Sequence, residues 1–195
     1  MARPAVFLDR DGTIVREVGY LDSPSRMRLL PRAAQGLRRL NEAGFTVVVV
    51  TNQAGVARGM FTEHDVAHVH AALRQRLARR GAHLDAIYYC PHHPEASVPA
   101  YRMACRCRKP APGMLLCAAR ELNLDLARSF AVGDGERDLL AGRRAGCATI
   151  LVRTGYGAET ETKLRGAAAP HYVARDLLDA AAWIVKHGDR RRRKP

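Results

Sequence analysis

Two kinds of apolar pattern alternate along the chain. Short unbroken runs rich in β-branched residues are too apolar to face water on either side and predict buried parallel strands. Apolar residues spaced three and four apart predict helices with one inward face. Val6-Phe7-Leu8 predicts the first strand, which ends abruptly in Asp9-Arg10-Asp11-Gly12. Residues 33–43 place Ala33, Leu37 and Leu40 on one helical face, with Gly44 as the stop. Thr46-Val47-Val48-Val49-Val50-Thr51 predicts a central strand. Thr62 has the character of an N-cap, with Glu63 and Asp65 in the first turn of a helix carrying Val66, Val69, Leu73 and Leu77 as far as Gly81. Further strands are expected at 86–89, 130–134, 148–152 and, briefly, 171–173. Helices are expected after Pro112 (Leu115, Ala119 and Leu122 on one side), over about 137–144, and last through Leu177, Leu178, Ala181 and Ile184. Val15 to Pro31 has neither period, and its turn signals at Gly19-Tyr20 and Asp22-Ser23-Pro24 predict an irregular loop.

Strand and helix in alternation imply an α/β fold, a central parallel sheet flanked by helices, with the ligand site beyond the carboxyl ends of the strands. Asp9, Thr51 and Asp134 all fall at such ends. At 195 residues and 47% hydrophobic, the chain can bury one sizeable core and is short for two. One domain is therefore expected over 1–188, followed by a disordered basic tail at 189–195. No run approaches the ~18 apolar residues of a membrane span, and Met-Ala-Arg-Pro leads at once into strand, so a cytoplasmic monomer without membrane contact is expected. Of the net charge of +13, +4 falls in residues 189–195 and +9 elsewhere. A basic surface that attracts phosphorylated metabolites explains this better than nucleic acid, because basic and aromatic residues do not alternate. Five cysteines, an odd number, argue against a disulfide framework.

Asp9 and Asp11 are i, i+2 neighbours, so on extended backbone both carboxylates lean into one volume, and Gly12 lets the chain turn away. Such a pair can divide phosphoryl transfer between a nucleophile and an acid, with a divalent cation cancelling the charge that repels phosphate. A polar Asp-Gly turn would leave the same trace. The discriminating signal is the ordered set Asp9-Arg10-Asp11-Gly12-Thr13, Thr51-Asn52-Gln53, Arg108-Lys109-Pro110 and Gly133-Asp134 with Asp138. In this order the motifs resemble those of the haloacid dehalogenase (HAD) superfamily of phosphohydrolases. The longer stretches Phe7 to Thr13, Val49 to Gly59 and Tyr88 to Pro94 resemble the D-glycero-D-manno-heptose 1,7-bisphosphate phosphatases and the related histidinol-phosphate phosphatases.

The resemblance, which extends from about Ala5 to Thr154, implies a Rossmann-like HAD core without a separate cap domain. It implies Asp9 as a nucleophile forming an aspartyl-phosphate, and Asp11 as acid, then base. Glu17, Val18, Gly19 and Tyr20 and the run Thr51, Asn52, Gln53 and Ala54 would line the substrate pocket, with Asp138 supporting the metal. The implied activity is Mg-dependent removal of the C7 phosphate from the heptose bisphosphate, in the nucleotide-activated heptose biosynthesis that feeds lipopolysaccharide. Histidinol phosphate or another small ester is the alternative substrate, and a nucleic-acid end phosphatase using the tail from Arg190 to Lys194 a more remote one.

The chemistry of the residues agrees with those roles. A carboxylate is already ionised at neutral pH and needs no base, only an aligned phosphorus and a cation. Mg2+ prefers near-octahedral oxygen ligands, which Asp9, the Asp11 carbonyl and Asp134 can supply. Thr51 and Asn52 can donate to phosphoryl oxygens, Lys109 adds fixed positive charge, and Arg108 is expected to reach a second phosphate. Singly, Thr51-Asn52 could be a turn and Arg108-Lys109 a solvated pair.

Cys90-Pro91-His92 and Cys105-Arg106-Cys107 form a C-x-H…C-x-C set whose spacing suits tetrahedral structural zinc. The spacing leaves His93, or plain buried cysteines, as alternatives; the resemblance implies Cys90, His92, Cys105 and Cys107. Cys117 and Cys147 are expected in the core, and the remaining histidines, His64 and His68 included, show no ligand spacing. One departure stands out: the heptose phosphatases commonly carry Gly-Asp-Lys at the fourth motif, where this chain has Asp134-Gly135. Lys109 is the expected source of the missing charge, ahead of Arg137 and Arg58.

Overall fold

In a computed structural model, which describes residues 2–164 and 166–192, the sheet is built around β1 (Ala5–Leu8), a strand buried along its whole length. The other strands are β2 (Thr46–Asn52), β3 (Ala86–Cys90), β4 (Phe130–Gly133), β5 (Ala148–Val152) and β6 (Tyr172–Ala174), in the spatial order β3-β2-β1-β4-β5-β6. Every pairing is parallel, with Val6 opposite Val47 on one side and Phe130 on the other. Chain order runs outward from β1 in both directions. The β1/β4 boundary is therefore the topological switch point, where crossovers diverge and leave a crevice at the carboxyl ends. The pairing reaches one residue beyond β1, since Asp9 N–H donates to the Val132 carbonyl at 3.0 Å.

Both faces of the sheet are covered, which explains why the strands lack polar alternation. Val6, Leu8, Val47 and Val49 face a layer formed by α1 (Ala33–Glu42), α3 (Glu63–Ala78) and α7 (Leu177–Arg192) through Leu37, Leu40, Leu73, Leu77 and Ile184. Ala5, Phe7, Val48 and Val50 face α4 (Gly113–Glu121) and α5 (Glu136–Arg144) through Met114, Leu115, Ala118 and Ala141. Each fully buried Leu or Phe contributes about 2 kcal/mol of transfer free energy. At the start of α3 the expected cap is present: Thr62 Oγ1 accepts from Asp65 N–H at 3.2 Å while Asp65 Oδ2 accepts from Thr62 N–H at 2.8 Å.

Two helices have no forerunner in the periodicity, α2 (Ala54–Ala57) and α6 (Gly157–Lys163). Both are too short to repeat a 3.6-residue pattern. The disordered tail expected from residue 189 is corrected as far as Arg192, because α7 continues through it; arginine is a good helix former and extends a helix already nucleated by its packed face. Residues 193–195 of that tail lie outside the described residues. Cys117 is also corrected. Met114, Leu115 and Ala118 occupy the inward face of α4, so Cys117 is partly exposed and its thiol donates to Glu121 Oε1 at 2.9 Å. Cys147 is buried as expected. No helix among the described residues is long and apolar enough to cross a membrane.

Candidate active site

A cavity of about 740 Å³ opens at the carboxyl ends of β1, β2 and β4, lined by Asp9, Asp11, Thr51, Lys109, Asp134 and Asp138 among others. Gly12 turns the chain at φ +77°, and a Cβ there would lie 2.0 Å from Asp134 Oδ2. Only glycine permits both the positive φ and this approach. A second glycine closes on the same oxygen from the loop after β5: a Cβ on Gly155 would also fall 2.0 Å from Asp134 Oδ2. That oxygen accepts from Tyr156 N–H at 2.8 Å, and Thr154 Oγ1 donates to the Gly12 carbonyl at 2.6 Å, joining the two loops.

Carboxylate oxygens of Asp9, Asp134 and Asp138 lie within 4.8 Å of one another. Burial pushes Asp134 up to about 8, and the negative charges of Asp9 and Asp138 push the same way. Like charges held this closely out of water call for a cation. Lys109 provides one. Its side chain is 2% exposed, and Nζ contacts Asp138 Oδ1 at 2.6 Å, Asp9 Oδ1 at 2.8 Å and the Val50 carbonyl at 2.7 Å. Burial alone would lower this ammonium, but Asp138 and Asp9 outweigh it and hold it up at about 12. One positive charge against three carboxylates leaves an excess of hard oxygen donors, the ligand type that Mg2+ takes.

Asn52, expected to bond phosphoryl oxygens, lines the cavity, and its amide also holds a neighbour. Nδ2 donates to the Lys109 carbonyl at 3.0 Å and Oδ1 accepts from Lys109 N–H at 3.0 Å, so Asn52 clamps the lysine's backbone. Thr51 faces the cavity, with Oγ1 accepting from Gln53 Nε2 at 2.9 Å. Asp11 is gripped by Arg10, whose Nη2 reaches Asp11 Oδ2 at 2.8 Å.

Around the mouth stand Glu17, Gly19, Tyr20 and Ala54, together with Arg58, Arg108, Arg137 and Tyr156. Val18 does not join them; the bend at Gly19 turns its side chain back against the core beneath the sheet. Glu17 accepts from Gly19 N–H at 2.5 Å, and burial, with smaller contributions from Asp11 and Asp9, holds its carboxyl above the ordinary value. Arg108 is held below its ordinary value by burial and, among its neighbours, by the like charges of Arg137 and Arg58.

Away from this cavity, the ligand atoms of Cys90, His92, Cys105 and Cys107 also lie within 4.8 Å of one another. Sulfur separations are 3.4 Å for Cys90–Cys105 and 3.1 Å for Cys107 to each of the others, too long for the roughly 2.05 Å of a disulfide. His92 Nδ1 lies 3.4 Å from Cys107 Sγ, whereas His93 Nδ1 accepts from Glu95 N–H at 3.1 Å, so His92 and not His93 completes the set. His64 and His68, read as lacking ligand spacing, do meet on α3 as an i, i+4 pair with Asp65 beside them. The group is exposed, and Asp65 Oδ2 is already engaged in capping Thr62.

Arg10, His70 and the 153–157 loop were not legible as site residues, and Arg58 and Arg137 were legible only as second choices for the charge missing at the fourth motif. Arg10 offered one signal, a charged residue inside the run that ends a buried strand.

Comparison with known proteins agrees with this geometry. A family model described as HAD-hydrolase-like matches residues 106–180. D-glycero-beta-D-manno-heptose-1,7-bisphosphate 7-phosphatase of Escherichia coli (strain K12) is 47% identical over 184 residues, covering 94% of each chain. The enzyme of the same name from Yersinia pestis is 45% identical over 177 residues, covering 90% of this chain and 92% of its own. Among solved structures, D,D-heptose 1,7-bisphosphate phosphatase from B. bronchiseptica, complexed with magnesium and phosphate, superimposes with a TM-score of 0.84 at 38% identity. The match covers 94% of this chain and 99% of that one.

Proposed function

Because the chain belongs to the D-glycero-D-manno-heptose-1,7-bisphosphate 7-phosphatase family of HAD phosphatases, we propose that it hydrolyses the C7 phosphate of that sugar bisphosphate through an aspartyl-phosphate. The observation that carries the reading is the carboxylate cluster at the β1/β4 switch point, braced by Lys109 and faced by arginines at the cavity mouth.

Asp9 is the nucleophile. Lys109 holds it by Oδ1, and the resulting orientation is fixed before substrate arrives. One carboxylate oxygen attacks phosphorus, the ester P–O bond breaks, and the leaving sugar oxygen takes the proton of the Asp11 carboxyl. Asp11, now ionised, removes a proton from the water that attacks the aspartyl-phosphate; inorganic phosphate leaves and Asp9 is regenerated. Thr51 donates its hydroxyl hydrogen to a phosphoryl oxygen. Asp9, Asp134 and the Asp11 carbonyl would hold Mg2+, which would supply positive charge to neutralise the phosphate.

Specificity resides at the mouth. A cavity with no inserted cap domain among the described residues leaves selection to short loops, and Arg58, Arg108 and Arg137 together suit a second phosphate remote from the one cleaved. The mutual repulsion that lowers Arg108 is relieved when an anion binds between them. The cationic amine and imidazole of histidinol phosphate lack that complement.

Zinc belongs to the separate Cys90, His92, Cys105 and Cys107 set. Three thiolates and an imidazole form a soft, closed donor set, and their sulfurs, 3.1–3.4 Å apart, would open only slightly to the roughly 3.8 Å edge of a tetrahedron with ~2.3 Å Zn–S bonds. Its role is to pin the loop that carries Arg108 and Lys109, the next two residues after Cys107.

Steady-state kinetics on heptose 1,7-bisphosphate, the corresponding monophosphate and histidinol phosphate test the assignment. The bisphosphate is expected to have the highest kcat/KM, and comparable values on histidinol phosphate would overturn it.

A further inference from the structure

Arg10 sits between the two catalytic acids with 1% of its surface exposed. Nothing in the roles above uses it, yet all of its guanidinium nitrogens are engaged. Nε lies 3.2 and 3.1 Å from Asp11 Oδ1 and Oδ2, and Nη2 donates to Asp11 Oδ2 at 2.8 Å and to Gln53 Oε1 at 3.0 Å. Nη1 meets Nε2 of His70, a buried residue on α3, at 3.1 Å.

The chemistry of arginine gives every bond in this group a direction. Guanidinium has donors and no acceptor, so His70 Nε2 must carry a lone pair and the ring must be neutral. Burial, followed by the charges of Arg10 and Arg74, pushes His70 down to about 3, in agreement with that polarity. For the same reason only Gln53 Oε1 can face Nη2, which fixes the orientation of the amide. Gln53 Nε2 is then the donor to Asp11 Oδ2 at 3.2 Å and to Thr51 Oγ1 at 2.9 Å. Thr51 Oγ1, as an acceptor from Gln53, must turn its own hydrogen elsewhere, and the cavity is where a phosphoryl oxygen would receive it. Asp11 Oδ2 is saturated by Arg10 and Gln53, whereas Oδ1 has only the long contact with Nε.

We propose that Arg10 and His70 are positioning residues for phosphoryl transfer, a brace from α3 that presents Asp11 Oδ1 to the leaving oxygen and aims the Thr51 hydroxyl at the phosphoryl group. The claim rests on the reading of Asp11 as general acid. His70 acts as the backstop: without an acceptor for Nη1, the buried guanidinium must shift to find one, and Asp11 and Gln53 shift with it. A lysine at position 10 would keep the charge but lose the planar fork that holds Asp11 and Gln53 together.

Aryl phosphates of graded leaving-group ability, with phenyl and p-nitrophenyl phosphate at the extremes, test this in the Mg-loaded enzyme without depending on the natural substrate. His70→Leu and Arg10→Lys should lower kcat/KM tenfold or more on phenyl phosphate and much less on p-nitrophenyl phosphate, because kcat/KM reads the step that expels the leaving group, ahead of the hydrolysis common to all esters, and only a poor leaving group needs the proton in place. His70→Gln, which restores an acceptor, should recover most of the loss; a merely structural role would move melting temperature without steepening the leaving-group dependence. If His70→Leu is too unstable to assay, Arg10→Lys carries the test. Asp11→Asn, run in parallel, separates the two claims. A wild-type slope in Asp11→Asn refutes Asp11 as the acid and the brace with it. A steepened slope there beside wild-type slopes in Arg10→Lys and His70→Leu overturns the brace alone.

Discussion

Replacing Lys109 with methionine removes a buried ammonium and leaves a side chain of similar reach. The structure sets the cost. Nζ lies 2.6 and 2.8 Å from carboxylates of Asp138 and Asp9, and the lysine and Asp138 side chains are 2% and 7% exposed, so water cannot take over its role. Breaking a buried pair by removing one partner costs about 3–5 kcal/mol, since the remaining charge stays desolvated. For a chain of this size each kcal/mol moves Tm by about 2–4 °C, so a fall of roughly 10–15 °C is expected in Mg-free buffer at neutral pH. The pH dependence carries a sign. Without the lysine the folded-state carboxyls of Asp138 and Asp134 rise further above the unfolded value, so the folded state binds the extra protons and the variant loses stability as pH rises. Its deficit against wild type should therefore shrink as pH falls toward the unfolded carboxyl value near ~4. Mg2+ should restore part of the neutral-pH deficit by supplying charge to the same carboxylates. The assay is a set of melting curves for both proteins between pH 4 and 8, with and without Mg2+. A Tm within about 2 °C of wild type at pH 7.5 without Mg2+ would refute the picture of Lys109 as the counter-ion of the cluster.

The strands and long helices were legible because their apolar periods repeat. β2 is too apolar for any half-exposed position, and α3 declares its start by Thr62 and its inward face by Val66, Val69, Leu73 and Leu77. The motifs at strand ends were legible because chemistry and topology coincide there, so Asp9, Thr51 and Asp134 meet at one cavity, which Lys109 enters from the loop before α4. The sequence could not show how donors are shared. Asn52 is a plausible phosphate ligand in one dimension, and only its spatial neighbour, 57 positions along the chain, reveals the clamp on Lys109. Arg10 shows no partner in one dimension until α3 brings His70 to it. Val18 was placed in the pocket by the resemblance alone, but the bend at Gly19 sends it to the core.

Asp9→Asn should reduce kcat by at least about a thousandfold with little change in Tm, and retention of more than about a tenth of wild-type turnover would exclude it as nucleophile. Protein purified without chelator should hold close to one zinc per chain, with Cys105→Ser losing both the metal and several degrees of Tm; elemental analysis showing no zinc in wild type removes that site. Because His70 is buried neutral with a value of about 3 against an ordinary 6.5, the unfolded chain takes up a proton below pH 6.5 that the folded chain does not. His70 should make stability fall with decreasing pH over that window, by up to about 1.4 kcal/mol per unit, and denaturant curves of His70→Gln that keep the full slope would contradict it. The last prediction concerns Gly135. Lys109 was the expected substitute for the missing family lysine, but its three donors are taken by Asp9, Asp138 and Val50. Arg137 is the better candidate, since its Cγ and Nε lie 3.8 and 3.9 Å from where a Cβ on Gly135 would be, so its side chain passes over the glycine. At φ −117° the backbone of Gly135 accepts any residue, and the tightest contact of a new Cβ, 3.2 Å to Asp138 Oδ2, asks that carboxylate to give by a few tenths of an ångström. Gly135→Lys alone should therefore bring no gain in KM on the bisphosphate, because the arginine already supplies the charge and the two side chains compete for one space. Arg137→Ala should raise KM several-fold, on the order of 1 kcal/mol for one charge-assisted contact, and Gly135→Lys added to it should recover much of the loss. The two substitutions must then be non-additive; a Gly135→Lys effect of equal size with and without Arg137 would mean that the two side chains serve different places and that the arginine does not stand in for the lysine.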